Sequence, residues 1–217
     1  MLSARTVTAG WVPGVPVVRD LDLDVAPGEV LGLQGPSGCG KSTAARVLAL
    51  LHQPTAGTIT IDGDTVAGSR YRASVQLRTR VGVLFQQPRT SVDPRLTLRQ
   101  VIAEPLIANG RKHDVAQRLP ELAATAGLTD ELLDRRAHAV SDGQLQRACL
   151  ARALALHPRY LICDEMTTML DASSTAALVQ TLTTYQHATG AGILAISHDD
   201  DLLTHWADRI VQLPALV

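Results

Sequence analysis

Gly35-Pro36-Ser37-Gly38-Cys39-Gly40-Lys41-Ser42 fits the pattern G-x-x-x-x-G-K-[ST], in which glycine-rich backbone curls around phosphate oxygens. The apolar run Val30 to Leu33 ahead of it reads as a buried strand, and Thr43 to Leu51 behind it as a helix rich in Ala and Leu. That strand–loop–helix setting is what the chemistry needs. The glycines let backbone N–H groups of the loop curl around an anion, and the helix N-terminus at Thr43 adds a favourable dipole. Lys41 is placed to reach β- and γ-phosphates, and the Ser42 hydroxyl to help hold Mg²⁺. This stretch predicts a bound nucleoside triphosphate with Mg²⁺.

Composition narrows what else the chain does. At 217 residues it can bury a full core, and its net charge of −1 offers no broad field for nucleic acid or an anionic membrane. One Phe, three Tyr and two Trp are too few to build the stacking platforms of a single-strand binder, so no nucleic-acid partner is expected. No apolar run is long enough to span a bilayer, and the N-terminus lacks the basic-then-apolar layout of a signal peptide. Cys39, Cys149 and Cys163 show no paired or metal-like spacing, which predicts reduced thiols and a cytoplasmic location. Lysine occurs only at Lys41 and Lys112.

Taken in order, Leu21, Leu23 and Val25 alternate with acids as a half-buried strand closed by Ala26-Pro27-Gly28. Trp11 stands in a Gly/Pro/Val segment before it, either a lone surface aromatic or a platform for a nucleotide base. Thr58 to Ile61 is a short strand followed by an Asp62-Gly63 hairpin turn. Val81 to Phe85 is a buried strand emptying at Gln86, a position from which a side chain either meets solvent or reaches a ligand. From Arg95 to Leu156 strand-like runs vanish and helical spacing takes over, interrupted at Pro105, Gly110 and Pro120. The last helix opens at Ser141-Asp142-Gly143-Gln144, where Ser141 and Gln144 have the layout of a capping box. Strand texture returns at Tyr160 to Cys163 and again at Ile193 to Ile196. The first ends in Asp164-Glu165, suited to a metal's water shell and to a general base. The second ends in Ser197-His198-Asp199.

The order of these parts resembles the nucleotide-binding subunit of an ABC transporter, from Trp11 to Leu213. The resemblance assigns Trp11 to adenine stacking and Gln86 to the Q-loop, touching Mg²⁺ and reporting to the membrane subunits. Val140 to Gln144 is similar to the signature L-S-G-G-Q, Asp164-Glu165 to the Walker B pair and His198 to the switch histidine. Thr168-Met169-Leu170-Asp171 is similar to the D-loop. It implies ATP hydrolysis, with Ser42, Gln86 and Asp164 around Mg²⁺, Glu165 activating water and His198 holding the γ-phosphate. It also implies a second ATPase subunit paired head to tail, whose ATP is met by Ser141, Gly143 and Gln144, and transmembrane permease subunits, some with a substrate-binding protein. The site would then sit peripherally on the inner face of the cell membrane.

The expected fold is α/β: a P-loop NTPase core with a mostly parallel sheet, an antiparallel N-terminal β subdomain and an inserted helical subdomain. The domain expectation is one ABC ATPase domain over 1–217, with 1–87 and 158–217 as the core and 88–157 as the helical part. Gln86 to Arg95 and Ala103-Glu104-Pro105-Leu106 are similar to importers of dipeptides, oligopeptides or nickel, members of which carry further residues beyond the point matching Pro214. Two departures from the family bear on chemistry. Asp142 replaces a glycine, and it is expected to point away from phosphate, because a carboxylate about 4 Å from a phosphate oxygen costs about 4 kcal/mol at an effective dielectric of 20. Met166 replaces a proline, which suggests a less constrained backbone after Glu165. A small-molecule kinase shares the first motif but not the Ser141–Gln144 and His198 elements. A soluble ABC ATPase and a weakly hydrolysing member of a heterodimeric pair are the other readings.

Overall fold

The computed structural model describes residues 1–69, 72–168 and 170–214. The chain runs through β1 (Leu2–Ala9), β2 (Val18–Val25) and β3 (Val30–Gln34), then crosses the glycine-rich loop into α1 (Lys41–Leu48). β4 (Ala56–Ile61) and β5 (Asp64–Thr65) form a hairpin, followed by the single turn α2 (Val75–Arg78) and β6 (Val81–Leu84). Helices α3 (Leu98–Ala108), α4 (Val115–Thr125), the short α5 (Asp130–Leu133) and α6 (Asp142–Leu154) come next. The chain closes with β7 (Tyr160–Asp164), α7 (Ala172–Thr189), β8 (Gly192–Ile196), α8 (Asp200–Trp206) and β9 (Arg209–Gln212).

Two sheets organise these elements. One is four-stranded and antiparallel in the order β2-β1-β4-β5. The other is five-stranded and wholly parallel in the order β6-β7-β8-β3-β9. Both faces of the parallel sheet are covered, as all-parallel sheets require, and its strands divide their side chains between two cores. Leu161, Cys163, Ile193 and Ala195 pack with α3, α6 and α7. Their neighbours Tyr160, Ile162, Leu194 and Ile196 pack with α1 and the antiparallel sheet. The period of two in a strand is what allows one pentapeptide to hold two cores together.

The α/β expectation holds, with every pairing of the larger sheet parallel. Local boundaries differ in instructive ways. α1 begins at Lys41 rather than Thr43 and ends at Leu48, because Leu50 turns left-handed (φ 59°). β4 starts at Ala56, two residues before the expected Thr58. Pro105 and Pro120 do not interrupt helices; they lie within α3 and α4, whereas Gly110 lies outside both. A proline inside a helix forfeits a hydrogen bond and costs about 3 kcal/mol. Each of the buried Leu98, Ile102 and Leu106 on α3 returns about 1.5–3 kcal/mol, as do Leu119 and Leu122 on α4, so packing outweighs the break.

β7 is also fastened to the antiparallel sheet by a polar contact. The fully buried Tyr160 donates its hydroxyl to Asp62 Oδ1 at 2.6 Å, and Arg159 and Arg80 pair with the other Asp62 oxygen at 2.8 and 3.3 Å. Tyr160→Phe is expected to lower stability by about 2 kcal/mol, the range for a hydrogen bond to a charged group. At this chain length that is a fall in Tm of about 4–8 °C, checked by thermal denaturation.

Candidate functional site

The carboxyl ends of β3, β6, β7 and β8 open on one edge of the parallel sheet, where ligands bind in open α/β folds. At the end of β3 the loop takes backbone angles that side chains resist: φ is 151° at Gly35, 81° at Gly38 and 102° at Gly40. A Cβ on Gly40 would stand 2.6 Å from the Val17 carbonyl oxygen, and one on Gly35 would stand 2.6 Å from that of Leu213. Gly40 is the N-cap of α1 and supplies no side-chain acceptor, and no acid lies in the first turn. The leading N–H groups of α1 are therefore left for an external anion, unlike those of α3, α6 and α7, which their own Thr97, Ser141 and Asp171 side chains cap. Lys41 is 5% exposed, and its Nζ donates to the carbonyls of Gly35 (2.8 Å) and Pro36 (3.0 Å) across the loop.

From α1 the Ser42 hydroxyl donates to Asp164 Oδ1 at 3.1 Å. Asp164 is buried at the end of β7, and burial pushes its carboxyl up from the ordinary value. The neighbouring Glu165 charge adds to this, while the Ser42 bond, Arg46 and Lys41 oppose it. Glu165 follows in the left-handed region (φ 48°), a conformation non-glycine residues adopt at a cost. Its N–H still bonds Ile196, and Thr168 holds its carbonyl. Both carboxylate oxygens are engaged: Gln86 Nε2 donates to Oε2 at 2.7 Å, and His198 Nε2 pairs with Oε1 at 2.8 Å. Gln86, Glu165 and His198 are thus gathered from the ends of three strands.

Trp11 lies beside α1, its Nε1 donating to Thr43 Oγ1 at 3.2 Å. Its ring is 52% exposed, with the His52 ring centroid at 4.4 Å and the Arg46 guanidinium carbon 5.2 Å from its own centroid. A cleft of ≈ 430 Å³ is lined by Trp11, Ser42, Arg46, Gln86 and Asp164 among others. A larger cavity of ≈ 580 Å³ lies away from this chemistry, between the end of α1, β6, α3 and α6.

Ser141, Gly143 and Gln144 form a separate group. Ser141 and Gln144 make the reciprocal capping box at the start of α6. Among the described residues no hydrogen bond or ion pair joins these three to Lys41, Asp164, Glu165 or His198. Asp142 forms an ion pair with Arg89, Nε to Oδ1 at 2.6 Å. Asp171 caps α7, and bonds from Ser173 and Ser174 draw its carboxyl down to about 2. Met169, expected beside it, lies outside the described residues.

Sequence reasoning passed over three residues. Gln146, 1% exposed on α6, donates to the Met166 carbonyl at 3.1 Å and to that of Phe85 at 3.4 Å. The backbone after Glu165 is therefore pinned without proline, and the Met166 side chain is buried. The signal was a glutamine beside Leu145 in an otherwise apolar helical face. Arg46 carries no motif and Arg89 stands only within the importer-like Gln86–Arg95 segment, and the fold alone brings them to Trp11 and to Asp142.

The donor set suits Mg²⁺. Ser42, Asp164 and Gln86 offer oxygen atoms, and a magnesium ion is held by one or two carboxylates together with substrate phosphates and water. Among the described residues no three His, Cys, Asp or Glu side chains cluster into a cage of their own. Also among them, no helix is long and apolar enough to cross a membrane.

Known proteins place these features in context. Residues 18–168 match the family model described as ABC transporter. A probable peptide ABC transporter ATP-binding protein of Sinorhizobium fredii is 37% identical over 94% of this chain and 60% of its own length. An oligopeptide transport ATP-binding protein of Bacillus subtilis is 38% identical over 90% of this chain and 66% of its own. The chain therefore spans just under two thirds of the length of these relatives. A nickel import ATP-binding protein of Escherichia coli is 36% identical over 90% of this chain and 74% of its own. Among solved structures, a dimeric ATP-binding cassette bound to ADP and Pi superposes with TM-score 0.85 at 26% identity, over 100% of this chain and 97% of its own.

The raised pKa of Asp164 has a consequence for stability. Its native form holds a proton more readily than the unfolded chain, so its contribution to stability falls as pH rises from the ordinary value of 3.8 through the raised one. At neutral pH the buried charge is a net cost in the absence of metal. Asp164→Asn is expected to raise Tm at pH 7 without Mg²⁺. The advantage should shrink as pH approaches 4, as measured by melting across a pH series.

Proposed function

This chain belongs to the ABC transporter family, and we propose that it is the ATP-binding and ATP-hydrolysing subunit that powers such a transporter. The observation that carries this reading is the Glu165 carboxylate held between Gln86 and His198, with β8 between its strand and the one that opens into an uncapped glycine loop whose buried lysine sits across it. A phosphate chain bound at the start of α1 would lie in the loop of Gly35, Pro36, Ser37, Gly38, Cys39, Gly40, Lys41, Ser42 and Thr43, taking N–H bonds from its members other than Pro36, which has none. The Lys41 ammonium would turn from the loop carbonyls to the β- and γ-phosphates. Trp11 offers an exposed ring for the base. Mg²⁺, held by Ser42 and Asp164 with Gln86 nearby, would offset charge on the transferring phosphoryl group.

Glu165 is the proposed general base. It accepts a proton as water oxygen bonds to the γ-phosphorus. The bond from that phosphorus to the bridging oxygen breaks, and ADP leaves with the electron pair. His198, released from Glu165, would hold the γ-phosphate. The left-handed backbone of Glu165 favours this role, since the hydrogen bond from its N–H to Ile196 and the bond from Thr168 to its carbonyl fix where the carboxylate starts. The boundaries that fit are a core of 1–87 and 158–217 with a helical part at 88–157, together one ABC ATPase domain.

Ser141, Gly143 and Gln144 lie apart from this chain's own loop, which supports a role toward ATP bound by a second ATPase subunit in a head-to-tail pair. Permease subunits in the membrane would then place the chain peripherally on its inner, cytoplasmic face. The similarity to peptide, oligopeptide and nickel proteins supports an importer of peptides or nickel. Purified protein, alone or with its membrane partners, should retain Mg·ATP and release phosphate without any acceptor substrate. Glu165→Gln should still bind ATP while turning over at less than a tenth of wild-type kcat in a phosphate-release assay. A variant above that level would remove Glu165 from the role of base.

A further inference from the structure

Asp142 puts a negative charge where the proposed function asks α6 to meet a phosphate. The chain answers that charge from outside the helix. Arg89 stands three residues past Gln86, in a one-turn 3-10 segment (Pro88–Thr90), and its Nε lies 2.6 Å from Asp142 Oδ1. The other two guanidinium nitrogens donate to the carbonyls of Ala137 (3.3 Å) and Val140 (2.8 Å), just before the Ser141 cap. The segment cannot drift from α6, because Arg152, one helix length further on, donates to the Ser91 carbonyl at 2.7 Å and to its hydroxyl at 3.2 Å.

We propose that Arg89 is a positioning residue for phosphate recognition by α6: it masks the Asp142 carboxylate and holds it aside, leaving Ser141 and the Gly143 backbone to face the anion. The proposal rests on the reading of α6 as the element that meets ATP on a neighbouring subunit. Stability of the helix does not explain the pair. An acid in the first turn already suits the helix dipole, and an ion pair whose two side chains are 46% and 41% exposed adds little to folding. Removing Arg89 forfeits its bonds to the Ala137 and Val140 carbonyls but should leave the chain folded and expose a like charge to the phosphate.

The test uses the transporter complex isolated through a tag on this chain, comparing ATPase kcat and Tm for wild type, Arg89→Ala, Asp142→Asn and the double variant. Arg89→Ala should lose at least tenfold in kcat while still unfolding in one cooperative transition, and Arg89→Ala/Asp142→Asn should recover to within threefold of wild type. An Arg89→Ala enzyme that keeps more than half of wild-type kcat, or a double variant no faster than Arg89→Ala, would overturn the proposal. Asp142→Asn gives a separate reading even if Arg89→Ala misfolds: a gain above tenfold shows an unmasked carboxylate and overturns it, and a smaller change supports it. A wild-type complex that fails to hydrolyse ATP would instead refute the proposed function, and this inference with it.

Discussion

Between β3 and α1 the chain leaves a helix start without a side-chain cap and buries a lysine against it. Neither arrangement is comfortable alone. Free N–H groups at a helix end need an acceptor, and a buried ammonium needs polar partners, which among the described residues include the carbonyls of Gly35 and Pro36. Both needs have the same answer in an anion with several oxygen atoms. Gly40 makes the arrangement possible, since a side chain there would strike the Val17 carbonyl and undo the turn that aims the loop.

The rest of the site adds negative charge at a measured distance. Asp164 is buried and its carboxyl is pushed up, while Glu165 next to it is held by two polar neighbours. Two adjacent acids with different partners can do different work: one meets Ser42, the other Gln86 and His198. The cost of keeping Asp164 charged in the interior is the kind that functional sites carry and scaffolds avoid.

Much of this was legible because the chemistry-bearing residues sit at the ends of continuous apolar runs. Val30–Leu33, Val81–Phe85, Tyr160–Cys163 and Ile193–Ile196 each announce a buried strand, and each is followed at once by a glycine loop or a polar side chain. β1 escaped notice, since two irregularities in its pairing disturb the alternation of Leu2, Ala4, Val7 and Ala9. α7 escaped too, although Asp171 before it and Gly190 after it are ordinary start and stop signals; its few buried side chains leave a weak stripe. Pro105 and Pro120 misled because backbone preference is local, whereas the burial that overrides it belongs to the whole helical layer. Contacts such as Arg89 with Asp142 join residues 53 positions apart by number, and no short-range pattern encodes them.

The amide of Gln146 reaches two backbone carbonyls, one preceding Gln86 and the other following Glu165. A single side chain on α6 therefore clasps both loops that flank the reactive carboxylate. Any swivel of the helical layer against the parallel sheet must drag these loops together or tear the clasp. Mechanical work arriving through that layer would be delivered as a synchronous displacement of glutamine and glutamate, a cam rather than two independent levers.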